Sequence, residues 1–320
     1  MKKSFILFVL FILVSFSIFA ERIVGTDKLE YNQKTQLYHY GNEKEPFTGI
    51  EKAYYEDKSL KYELPYKNGK FEGNAIECYP SGKIESESFY VNGKLNGKSY
   101  EYYENGKLKI EENYVNSKSE GVSKSFYPNG KVESEVQFKN NKKEGVAKLY
   151  SENGILTSEI PFKNDVVIGV AKLYNAQTGK LEYETSAVNG QRNGLSKKYY
   201  PSGKLLSEVN FKNDKEEGMM KSYYESGKLQ GEIPYKNGQV EGVVKAYDEN
   251  GKLIEQATFK NGKVEGIQKD YYENGKIKRE ISHKNGLVDG VSKLYYPNGK
   301  VQNEITHKKG IPDGVSKTYY

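Results

Sequence analysis

Side chains of the kind that do chemistry are few in this 320-residue chain, and their spacing does not assemble a reaction centre. The histidines are His39, His283 and His307, and the single cysteine is Cys78. His283 and His307 lie 24 residues apart, in a column that is Phe138, Phe211 and Phe259 elsewhere, so one flat ring replaces another. A metal shared by those two rings would need another ligand, and none stands at a suitable spacing. Cys78 occupies a column that is otherwise Tyr or Phe, which reads as a partly buried, inert thiol, and a lone cysteine closes no intramolecular disulfide. The recurring Asn-Gly-Lys triplets lack the strand-to-helix setting and the Gly-Lys-Ser/Thr order of a phosphate loop. They do not match Asp-bearing, calcium-binding glycine nonapeptides either. No catalytic, cofactor or metal residue is assigned, and an enzyme is not expected.

The polar columns carry more information. Lys recurs at 52, 124, 148, 172, 197, 221, 245, 269, 293 and 317, and Glu at 63, 87, 111, 135, 159, 184, 208, 232, 280 and 304. Interspersed charges of this kind keep an open sheet soluble, and cross-strand pairs add a few tenths of a kcal/mol each. They also imply an interaction surface if Lys and Tyr share a face, because cation-π contacts and phenol hydrogen bonds then line up. The candidate face comprises Lys124, Lys148, Lys172, Lys221, Lys245, Lys269 and Lys293 with Tyr150, Tyr174, Tyr223, Tyr271 and Tyr295. The expected partner is a protein, with a membrane surface or an envelope polymer as further candidates. Nucleic acid is not expected: Lys and Glu alternate along the chain, and beyond residue 20 there are 47 basic against 43 acidic residues.

A repeating element must position these columns. Glycine recurs every 24 residues from Gly49 to Gly314 and from Gly82 to Gly299, with one step of 25 in each series. Both series place the extra residue in Asn175-Ala176-Gln177-Thr178-Gly179, which marks a turn. Two turn signals and two short aromatic or β-branched segments per unit predict one β-hairpin per repeat. Pro80, Pro128, Pro201 and Pro297 precede the first turn's glycine by two residues, as in a type I turn followed by a glycine bulge. The second turn should have positive φ at Gly69, Gly93, Ser117, Asn141, Asp165 and their equivalents. Uninterrupted alternation from the first turn pairs Phe126 with Val132 and Val122 with Val136. That register puts Val122, Phe126, Val132, Val136 and Phe138 on one face. With 36% apolar residues, 29 Tyr and no Trp, the chain suits a thin, one-dimensional core of stacked ladders better than two compact domains.

Tyr-Tyr-Glu-Asn-Gly-Lys-Leu-Lys at 102–109 and Tyr-Tyr-Glu-Asn-Gly-Lys-Ile-Lys at 271–278, each followed by x-Asn-Gly-x-x-(Glu/Asp)-Gly or a close variant, resemble the bacterial MORN-repeat variant. The resemblance spans about residues 38–320. It implies an elongated, single-layer antiparallel sheet of tandem hairpins, about 11.5 units. Proteins of this type are commonly labelled YwqK-type antitoxins of toxin-antitoxin systems, which implies a protein partner. Residues 1–20 read as a signal peptide: Lys2 and Lys3, an apolar stretch from Phe5 to Val14, and a segment from Ser15 to the small Ala20 just before the charges at Glu21 and Arg22. Residues 21–37 form a lead-in. The expected protein is an exported, non-enzymatic scaffold in the periplasm, at the outer membrane or at the cell surface, with an antitoxin or immunity protein as the alternative. Self-association through the edge strand at Thr318-Tyr319-Tyr320 is a further expectation.

Overall fold

The computed structural model describes residues 22–320, so the expected leader lies outside the described residues. Among the described residues the fold is all-β, with a single three-residue 3-10 turn at Thr26–Lys28. Two units are distinguished, one ending at Gly106 and one beginning at Lys107.

In the second unit the strands follow chain order, each antiparallel to the one before, in an open sheet running from Leu108–Val115 to Lys317–Thr318. Gly121–Phe126 and Val132–Lys139 make one hairpin, and Gly145–Tyr150 and Leu156–Lys163 make the next. The first turn closes as its proline and glycine require: the Tyr127 amide donates to the Lys131 carbonyl at 2.8 Å, and the Gly130 amide to the Tyr127 carbonyl at 2.7 Å. The second turn has positive φ at both central residues, for example +49° at Asn261 and +74° at Gly262. That is a type I′ turn, whose twist matches its flanking strands. Ser117 adopts the same conformation at φ +62°. The extra residue after Tyr174 is absorbed in a wider turn. There the Asn175 side-chain oxygen accepts from the Gln177 and Thr178 amides, and Tyr174 still pairs with Leu181.

The register differs from uninterrupted alternation in one respect that matters. Phe126 pairs with Val132 as expected, but Ser125 pairs with Ser134, leaving Glu133 as an unpaired extra residue. Beyond this bulge Val122 faces Gln137, not Val136. Two residues opposing one turns the rest of the strand over. Val136 and Phe138 therefore lie on the face of Ser123 and Ser125, while Val122 and Phe126 share the other face with Lys124. The same slip recurs at each first turn, as between Leu149 and Tyr150.

The first unit adds a compact element to its hairpins. Ile23–Val24 pairs in parallel with Gly49–Tyr54, and Leu29–Asn32 with Leu37–Tyr40 forms a separate hairpin. Val24, Phe47 and Tyr66 form its buried core, with Leu29, Tyr38, Tyr40, Leu64 and Phe71 packed around it. Gly49 permits the parallel approach, since a Cβ there would collide with the Arg22 carbonyl oxygen and the Phe47 ring. Arg22 is held by a two-pronged ion pair to Glu43, at 2.7 and 2.8 Å, and stacks over Tyr40.

Candidate interaction face

In the second unit the bulge separates two faces of different character. Its buried residues, Ala147, Ala187, Ser196, Phe211 and Ala257, all belong to the Ser123, Val136 and Phe138 columns. This is the packing face, and the face bearing Lys124 and Phe126 is the open one. The seven lysines and five tyrosines expected to form the interaction surface all lie on the open face and are half-buried there.

Glutamate occupies the same face, which the uninterrupted register did not anticipate. Lys124 faces Glu135, Glu135 faces Lys148, Lys148 faces Glu159, and Glu159 faces Lys172. The ladder continues with alternating sign to Glu304 and Lys317, broken once where Gln256 stands between Lys245 and Lys269. Lys124 Nζ lies 2.9 Å from Glu135, and Lys269 and Lys293 lie 3.4 and 3.6 Å from Glu280 and Glu304. Hydrogen bonding to Glu135 raises the pKa of Lys124, and the same bond lowers that of Glu135. Exposed pairs of this kind contribute little each, and several in a row contribute more through their order than their number.

Tyrosine completes the row. Tyr150, Tyr174, Tyr223 and Tyr295 donate to Glu135, Glu159, Glu208 and Glu280, at 3.2, 2.7, 2.7 and 2.6 Å. Burial, then the bond to glutamate, pushes the Tyr174, Tyr223 and Tyr295 phenols up to about 12, so they stay neutral donors. Beyond the charged row runs a third, apolar one: Val122, Val146, Val170, Leu195, Met219, Val243 and Ile267, each between 37% and 49% exposed. A shallow depression of about 400 Å³ between neighbouring hairpins is lined by Val122, Lys124, Gln137, Val146 and Lys148.

Three sets of bonds between repeats went unread in the sequence. The second tyrosine of most Tyr-Tyr pairs donates to a backbone carbonyl in the next repeat: Tyr200 to Tyr223 at 2.8 Å, Tyr224 to Tyr247 at 2.7 Å. Turn lysines do the same, as Lys131 to Asn153 at 2.8 Å and Lys252 to Glu273 at 2.8 Å. Where glutamate precedes a glycine of the Gly49–Gly314 series, it accepts the amide of a type I′ turn one repeat on, as Glu241 from Asn261 at 2.6 Å. Spacings of 20 to 23 residues in these pairs are the readable signal, once the repeat is known to be 24.

His283 and His307 sit in the Phe138 column on the packing face, paired with Gly266 and Gly290. Both His283 ring nitrogens are buried without a hydrogen-bond partner, and burial lowers its pKa from the ordinary 6.5. Cys78 is buried, as expected, and burial raises its thiol pKa.

No curated protein matches the chain. Among solved structures it resembles a chain in the crystal structure of TcdB2-TccC3-Cdc42, at 11% identity and a TM-score of 0.18, covering 88% of this chain and 18% of that one. A second match, in the crystal structure of TcdB2-TccC3, has 12% identity and a TM-score of 0.14, covering 80% of this chain and 17% of that one. The profile of the MORN repeat variant matches ten segments: 47–68, 71–92, 95–116, 119–140, 143–164, 192–213, 216–237, 240–261, 264–285 and 288–309. The one repeat passed over is that with the widened turn at Asn175–Gly179. Since those segments cover more than half of its length and coincide with successive hairpins, the chain belongs to the MORN repeat variant family.

Proposed function

We propose that the protein is an exported, non-enzymatic repeat scaffold that binds a protein partner through the open face of its second unit. The observation that carries this reading is the ladder of alternating Lys and Glu beside an apolar row. Alternation keeps the face close to neutral, whereas a surface built for an anionic polymer or headgroup layer concentrates one sign. A mixed-charge, Tyr-rich surface with apolar side chains is the composition of a protein interface. Export is supported by the leader-like residues 1–20 and by Arg22, which is already in place on Glu43 two residues past the expected cleavage point.

The test is affinity capture from envelope extracts with residues 21–320, compared with a Lys148→Gln/Lys172→Gln/Lys221→Gln variant of unchanged circular dichroism. A protein captured by the wild type and lost with the variant supports the reading. Equal capture by both, or retention only on anionic vesicles or polyanion, overturns it. Cell fractionation and the mass of the mature amino terminus test export. If the captured protein is a toxin encoded beside this gene, the role is immunity.

A further inference from the structure

The rows of the open face share one period and one phase. Lys124 and Val122 stand on the same strand, and Glu135 and Gln137 stand together on the next. Wherever the charged row changes sign, the apolar row therefore changes from a protruding aliphatic to Gln137, Pro161, Ser186 or Asn210. This pattern is complementary to itself. Turned about a two-fold axis lying along the strands, each row falls on its own copy with the repeat direction reversed. The offset that sets lysines over glutamates then also seats each aliphatic over the gap between two others. No separate adjustment is needed for the second row.

We propose that two copies of this protein pair face to face, antiparallel, through the surface between Gly121 and Tyr271. This rests on the open face being the interaction face, and names a second copy as its partner. An isologous pair needs one self-complementary patch, which is what the matched phases supply. The thirteen long strands from Gly121–Phe126 to Gly266–Tyr271, at about 4.8 Å per strand and with three rows ~17 Å wide, offer roughly 1,000 Å² per copy. A stable interface uses about 800 Å² per partner. The exposed aliphatics supply the affinity, since the ladder is already satisfied within each sheet and its charges act chiefly on register and against wrong offsets. The opposite face offers no continuous row of this kind: Ala147, Ala187, Phe211 and Ala257 are buried there, and Leu149 and Leu173 are followed in their column by Lys198 and Ser222.

The experiment is sedimentation equilibrium of residues 21–320 from micromolar to submillimolar concentration. Wild type should pass from one to two chain masses. Val146→Asp/Val170→Asp/Val243→Asp should weaken pairing by more than about tenfold at unchanged circular dichroism. Leu149→Asp/Leu173→Asp, on the other face and likewise exposed, should leave pairing intact. A wild type that stays at one chain mass overturns the proposal, as does pairing that survives the triple variant or is lost in the Leu pair. A monomer that still captures a partner through the Lys148, Lys172 and Lys221 face overturns self-pairing while leaving the interaction face standing.

Discussion

Single residues in this protein act across a repeat boundary more than within their own hairpin. The Tyr224 hydroxyl binds the Tyr247 carbonyl at 2.7 Å, part-buried, so Tyr224→Phe should lower stability by about 1 kcal/mol in urea unfolding without changing the circular dichroism. Gly262 has open space around it and φ +74°, so the cost of Gly262→Ala is conformational: about 1–2 kcal/mol, read in the same experiment. His283 gives a pH dependence whose sign follows from its depressed pKa. The folded state holds the ring neutral, while the unfolded chain takes up a proton near 6.5. Its contribution is therefore present above that value and is lost as pH falls through it toward the lower, folded value. Comparing melting temperatures at neutral pH and at about pH 5, His283→Phe should lose less than the wild type on acidification.

At the scale of the hairpin, the type I′ turn is held by a carboxylate from the preceding repeat. Glu265 accepts the Asn285 amide at 2.8 Å, as Glu241 accepts that of Asn261. Glu265→Ala should speed hydrogen exchange at the Asn285 amide and cost roughly 0.5–1.5 kcal/mol. The effect should stay near that turn, because each hairpin bonds only to its neighbours. The turn periodicity, the positive φ of the second turn and the Phe126–Val132 pair were all readable, since turns are written in residues with strict backbone preferences. The bulge at Glu133 was not readable. Glutamate has no backbone preference that marks a bulge, and alternation of side chains is the only local clue to register.

At the scale of the molecule, the two units draw on different sources of stability. The first has a packed core, with Phe47 1% exposed against Tyr66 and Tyr40. Phe47→Ala should cost about 3–5 kcal/mol, seen as loss of exchange protection in residues 22–106. The second unit buries mostly small side chains on one face, so its stability accumulates through bonds between successive hairpins. The compact core of the first unit was not legible: residues 21–37 read only as a lead-in, and nothing local announces that Ile23–Val24 pairs in parallel with Gly49–Tyr54.

The amino-acid sequence alone determined the repeat of 24, the hairpin in each repeat, the bulged type of the first turn, the positive φ in the second and the presence of Lys and Tyr on one face. Each of these follows from short-range preferences repeated many times over, so errors at single positions average out. Tertiary structure decided which face packs and which stays open, because that depends on one unpaired residue per hairpin turning the strand over. By the same step it placed glutamate opposite lysine, making a mixed-charge ladder of what had read as a Lys-Tyr surface.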